Sequence, residues 1–152
     1  VSEFTCIIHQ APLGKGRPRA VSVAGRARVY TPTASADWEH FAAMEMRLQY
    51  RDACEPEPAN YITGPLGCEI VAVFPRTAEL LRKVKGGHKY PTWRLPHAVK
   101  PDADNIAKSV LDAVEKAGII CDDKQIALLT VGKHYAMIHE EPRVEVRIWS
   151  LT

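Results

Sequence analysis

Long apolar runs are missing from this chain. No stretch approaches the ~20 residues a membrane-spanning helix needs, and the opening residues show no basic-then-apolar leader pattern. The sequence therefore reads as cytoplasmic, with no membrane partner. Cysteine is sparse and scattered: Cys6, Cys54, Cys68 and Cys121 form no Cys-x-x-C pair and several sit in apolar runs. That pattern predicts reduced, mostly buried thiols and argues against disulfides or a zinc site. The histidines, His9, His40, His88, His97, His134 and His139, also lack ligand spacing.

Two further chemistries are disfavoured by what is absent. The Gly14-Lys15-Gly16 stretch lacks the spacing, and the Ser or Thr after lysine, of a nucleotide-binding loop. It reads instead as a flexible loop presenting Lys15, Arg17 and Arg19. Ser109 has no histidine at a fixed offset and falls on a predicted helix, which argues against a nucleophilic serine.

Acidic residues are missing from two long segments. Between Phe4 and Ala36 there is none, whereas Lys15, Arg17, Arg19, Arg26 and Arg28 are present. From Leu80 to Pro101 there is again none, and Arg82, Lys83, Lys85, Lys89, Arg94 and Lys100 stand among His88, Tyr90, Trp93 and His97. A net charge of +2 says little about partners, but over half of the 20 Lys and Arg residues lie in these two segments. Both are rich in Gly and Pro, which predicts surface loops, and together they point to a polyanion. The aromatic residues of the second could stack on unpaired bases or anchor that loop to the core.

What is present describes an ordinary domain. With 152 residues, 46% of them hydrophobic, the chain can bury a core, and residues 1–152 read as a single domain. FTCIIH, CEIVAVF, ALLTVGKHYAM and RVEVRIWS read as strands, the last two forming a C-terminal hairpin through the turn at Glu140, Glu141 and Pro142. One helix is predicted from Thr33 or Ser35 through ADWEHFAAMEMRLQYRDA, ending before the prolines of EPEPAN. Its stripe of Trp38, Phe41, Met44 and Leu48 reads as core packed on the sheet, with a dimer interface as the less favoured role. The expected fold is α+β: a single mixed sheet of about four or five strands with two main helices packed against it.

The second helix, from about Asp104 to Ala117, is the informative one. Its 3.6-residue period puts Ile106, Ala107, Val110, Ala113, Val114 and Ala117 on a buried arc and Asp104, Lys108, Asp112 and Glu115 on the opposite one, with Gly118 as a stop. Asp102 and Asp104 precede or open this helix. Capping explains one aspartate and leaves the other over. After the helix, GIICDDKQ ends on Asp122 and Asp123, whose side chains point opposite ways in an extended chain, so one of them can face the helix start. Three converging carboxylates would repel one another unless a hard divalent cation such as Mg²⁺ joined them. An ion of that kind beside basic loops suits phosphodiester hydrolysis, because it activates water and offsets charge on the phosphate. Lys108, one turn beyond Asp104, can reach the same centre, or can form an ordinary surface ion pair with Asp104 or Asp112.

KPDADNIAK, LDAVEKAGII and DDKQI together resemble the signature of the RusA-type Holliday-junction resolvases, and GKGRPRAVSVAGRARVYTP is similar to the basic opening of phage members. The resemblance implies a RusA-like homodimer that cuts branched DNA, four-way junctions above all, with Mg²⁺ or Mn²⁺. By position it implies Asp102, Asp104 and Asp123 as metal ligands and catalytic residues, with Lys108 as the functional lysine. Lys15, Arg17, Arg19, Arg82, Lys83, Lys85, Lys89 and Lys100 are the candidate DNA contacts. Two other readings stand beside it: a non-catalytic junction-binding dimer, and a metal-dependent nuclease for other branched DNA.

Overall fold

The computed structural model describes residues 2–30 and 32–152. In chain order the elements are β1 (Glu3–Ile8), β2 (Arg19–Val23), β3 (Arg26–Tyr30), α1 (Thr33–Cys54), β4 (Leu66–Phe74), β5 (Lys83–Val84), β6 (Gly87–His88), β7 (Leu95–Pro96), α2 (Ala103–Lys116), a 3₁₀ turn (Asp123–Gln125), β8 (Ile126–Tyr135) and β9 (Arg143–Ser150). Five of the strands form one mixed sheet in the order β1-β9-β4-β8-β7. β4 and β8 run parallel and the other neighbours antiparallel. The fold is α+β, as the alternation of strand and helix patterns predicts.

Alternation explains the sheet's covered face. Phe4, Cys6 and Ile8 of β1, Val144, Val146 and Ile148 of β9, and Cys68, Ile70 and Ala72 of β4 are buried. Register places Val146 beside both Cys6 and Ile70, so these side chains form continuous rows across the sheet. Against the rows lie Ala42, Met46 and Tyr50 of α1 and the predicted arc of α2, every member of which is buried. A fully buried Ile or Val contributes about 1.5–3 kcal/mol, so Ile106, Val110 and Val114 supply most of what this arc adds to the docking of α2. The helices are also tied by hydrogen bonds. Gln49 of α1 accepts from the Ile7 N–H (3.0 Å) and donates to the Ile7 carbonyl (2.7 Å), while Arg47 donates to the carbonyls of Lys116 (2.8 Å) and Ala117 (3.1 Å) at the end of α2.

Three expectations are corrected. β8 and β9 are not a hairpin: β4 lies between them, paired parallel to β8 and antiparallel to β9. The nine-residue β4, buried on most of its length, satisfies both neighbours, which a short turn at residues 140–142 does not reveal. The stripe on α1 divides: Trp38 is buried and donates its indole N–H to the Ala11 carbonyl (2.9 Å), but Phe41, Met44 and Leu48 are exposed. The first acid-free segment is not all loop, since Arg19–Val23 and Arg26–Tyr30 pair as an antiparallel ribbon. The thiols follow expectation. All four are free, and burial pushes those of Cys6 and Cys68 up to about 12.

Candidate active site

The site is assembled where the first basic segment crosses the start of α2. Lys15 donates its backbone N–H to the Asn105 carbonyl (3.0 Å), and Ser109 donates its hydroxyl to the Leu13 carbonyl (2.6 Å). Gly16 donates to the Ser35 hydroxyl (2.8 Å), so residues 13–16 are strapped to both helices. The two glycines serve this close approach. A Cβ at Gly14 would lie 2.7 Å from Pro101 Cβ, and one at Gly16 would lie 2.8 Å from both Pro32 Cγ and the Ser35 hydroxyl. The segment is thus a fitted strap, where the sequence suggested a flexible loop.

The side chain of Lys15 points inward. Its ammonium pairs with Asp112 at 2.7 Å and with Glu39, whose carboxylate is 4% exposed and also receives Lys116 at 3.1 Å. These carboxylates hold the Lys15 ammonium above its ordinary value even though burial opposes them. Lys15 therefore fastens the strap, and its charge is spent on two helices. Asp112 is taken by Lys15, and Lys108, exposed on the arc opposite the buried one, has no ion-pair partner among the described residues.

The second basic segment reaches the same place. Lys133 of β8 donates its ammonium to the carbonyls of Val99 (2.7 Å) and Pro101 (2.6 Å), fixing the entry to α2. The result is a groove of about 570 Å³ lined by Leu13, Lys15, Arg17, Lys100, Asp102 and Asn105, among others. Two segments more than 80 residues apart in the chain supply Arg17 and Lys100 to one groove with Asp102 on its wall.

The aspartates have separable situations. Asp102 occupies the N-cap position of α2, but its carboxylate makes no capping hydrogen bond. Asp104 is in the first turn, exposed and without an ion-pair partner among the described residues. Both carboxylates are hard oxygen donors left open at the start of α2, a donor set of the kind that holds a divalent cation even against the positive end of the helix dipole. Asp122, by contrast, is used locally: Oδ1 accepts from the Lys124 N–H (3.0 Å), while Gln125 Oε1 accepts from the N–H groups of Cys121 (2.8 Å) and Asp122 (3.3 Å). The Lys124 N–H, helped by the Lys124 ammonium, holds the Asp122 carboxyl below its ordinary value. Asp123, next in the chain, is exposed and has no ion-pair partner among the described residues. Among the described residues no three His, Cys, Asp or Glu side chains stand close enough to share one ion. Asp123 lies beyond the far end of α2, and among the described residues it does not close a triad with Asp102 and Asp104 within one chain.

The other candidate DNA contacts divide in two. Lys83 and Lys85 belong to the small exposed β5–β6 hairpin, where they are unpaired among the described residues. Lys89 and Arg82 are paired with Glu79, at 2.5 and 3.8 Å. Arg94 grips Glu140 (2.6 Å) and Glu145 (2.7 Å), and Arg76 donates to the carbonyls of Ala136, Leu80 and Trp93, so both anchor the loop to the sheet. Arg17, Arg19 and Lys100 are exposed. Sequence reasoning missed Lys133, whose only signal was a lysine late in a largely apolar strand.

Comparisons with known proteins bear on this arrangement. A family model described as "Endodeoxyribonuclease RusA" matches residues 10–149. The chain is 31% identical over 141 residues to an uncharacterised protein, YqaN, of Bacillus subtilis (strain 168), an alignment covering 93% of this chain and 92% of the relative. The matched region includes the strap, the basic segments and all five aspartates between Asp102 and Asp123.

Proposed function

Because this chain belongs to the RusA endodeoxyribonuclease family, we propose that it is a divalent-metal-dependent nuclease that resolves four-way DNA junctions by paired, symmetric cuts. The observation that carries this reading is the groove that joins Arg17 and Lys100 to the uncapped Asp102 at the start of α2. Arg17 and Lys100 would bind the phosphates that flank the scissile bond. Lys108, unpaired one turn beyond Asp104, would meet charge that develops on the cleaved phosphate. Mg²⁺ held by Asp102, Asp104 and Asp123 would supply electrostatic stabilisation of that phosphate, with Mn²⁺ able to replace it.

Symmetric cutting calls for two sites related by a two-fold axis, hence a homodimer. The outer edge of β8 supports one. β7 pairs only with His134 and Tyr135, which leaves the edge from Ile126 to Gly132 unpaired among the described residues, with Leu128 and Leu129 exposed on it. Antiparallel pairing of two copies of this edge would bring the start of each β8, just after Asp123, beside the end of the other, where Lys133 holds Pro101 ahead of Asp102. Each triad would then be completed across the dimer.

The reading is tested by offering a four-way junction, a fork, a flap and linear duplex with Mg²⁺. Paired symmetric nicks confined to the junction are expected. Equal cutting of all four substrates would favour a general branched-DNA nuclease, and junction binding without any nick would favour a non-catalytic binder.

A further inference from the structure

We infer that the β2–β3 ribbon is a second DNA-binding element, one that lays an arginine-bearing face into the major groove of a duplex arm beside the cutting site. Its register is Arg19↔Tyr30, Ala20↔Val29, Val21↔Arg28, Ser22↔Ala27 and Val23↔Arg26. Cross-strand partners share a face and successive residues alternate between faces. One face therefore holds Arg19, Arg26 and Arg28 together with Val21, Val23 and Tyr30. The other holds only Ala20, Ser22, Ala27 and Val29, with no charge at all.

Among the described residues no partner makes structural use of this sorting. Every residue of both strands is exposed, and none of the three guanidiniums has an ion-pair partner among the described residues. Two-stranded ribbons normally need a covered face to be stable; this one leaves Val21, Val23 and Tyr30 at 40–47% exposure between its arginines. A face of that kind fits a partner with dense negative charge and some apolar surface. The major groove offers both: phosphates along its walls, and base edges that include thymine methyl groups on its floor. A two-stranded ribbon fits a groove about 12 Å wide. Strands of this length reach roughly 17 Å, about half a helical turn of DNA. The turn at Ala24 and Gly25, with φ of 51° and 74°, closes the ribbon tightly, and the strap fixes its root at Gly16 beside Arg17. The ribbon would thus grip an arm while the groove holds the branch.

The inference rests on the nuclease reading, and the test separates their failures. In an Asp104→Asn background, which removes cutting, junction binding is measured against salt concentration together with guanine N7 methylation protection along the arms. Adding Arg26→Ala and Arg28→Ala is expected to weaken binding more than tenfold, lower the slope of log K on log salt by about 2, and abolish N7 protection on the arms. The Arg26→Lys/Arg28→Lys pair should keep the slope, and Ala27→Ser on the uncharged face should change nothing. Unchanged affinity, slope and protection in the double alanine variant would overturn the ribbon while leaving the nuclease intact. A parent protein that binds no DNA would overturn both.

Discussion

Gly14 and Pro101 are fitted so closely that a Cβ on the glycine would stand 2.7 Å from Pro101 Cβ and 3.4 Å from Asn105 Cβ. The contact joins the two acid-free basic segments directly, at the entry of α2. A proline ring cannot swing aside as a long side chain would. Gly14→Ala should therefore push the strap off the start of α2, costing about 1–3 kcal/mol of stability and about tenfold or more in junction cleavage. Thermal melting and single-turnover cleavage of the same preparation measure the two effects. A variant that melts and cuts like the parent would show that the spacing has no role.

Asp122 and Asp123 should separate cleanly on mutation. Asp122→Asn keeps an oxygen acceptor for the Lys124 N–H and is expected to cut junctions near the parent rate. Asp123→Asn removes a proposed ligand and should lower cleavage by roughly 10²-fold or more while junction binding persists. Asp104→Asn should behave as Asp123→Asn does. Gel-shift and cleavage assays on one labelled junction compare all three, and loss of cutting in Asp122→Asn alone would reverse the assignment.

Leu128 and Leu129 are exposed on an unpaired strand edge, so a charge there should leave the monomer intact and block edge pairing. Leu128→Lys/Leu129→Glu is expected to sediment as a monomer, melt with an unchanged profile at high dilution, and lose metal-dependent cleavage. Analytical ultracentrifugation reads the first point. A cleavage-competent dimer in this variant would move the interface elsewhere, with the exposed Phe41, Met44 and Leu48 face of α1 the next to probe.

His97 gives the fold a pH dependence of known sign. It stacks on Phe74 at 3.8 Å with its rings 14° from parallel, its Nδ1 has no partner, and burial, with the nearby Lys133 charge, holds its pKa below the ordinary 6.5. The unfolded chain binds the proton more readily, so this contribution is complete above about pH 6.5 and is lost as pH falls through that value toward the folded pKa. Denaturation midpoints should therefore drop between pH 7 and pH 5, and His97→Phe should flatten that drop. Glu140 and Glu145, held below the ordinary carboxylate value by Arg94, lose their share only at lower pH.

Much of the site could be read from residue order because its parts are local. The period of α2 places Asp104 and Lys108 on the arc opposite Ile106, Val110 and Val114 whatever surrounds the helix, and Asp102 follows from its place before the first turn. The ribbon has a signal in the sequence, because Arg-Ala-Val-Ser-Val and Arg-Ala-Arg-Val-Tyr flank Ala24-Gly25 with hairpin spacing. A strand pair with no buried face lacks the usual apolar alternation, so the charge density of that stretch favours a loop by pattern alone. The tie between Asp112 and Lys15 is separated by 97 positions and carries no sequence signal of its own.

By itself the sequence determined the helices, the covered face of the sheet, the two basic segments and the aspartate motif, because periodicity and local charge act over a few residues. Only the tertiary structure decided which neighbours meet. It placed β4 between β8 and β9, turned Lys15 inward onto Glu39 and Asp112, and gave Asp122 to a cap while leaving Asp123 open. It also brought Arg17, Lys100 and Asp102 into one groove. The reason is physical: strand order and ion-pair choice follow from how buried surfaces fit together across the whole chain, and local pattern does not encode that fit.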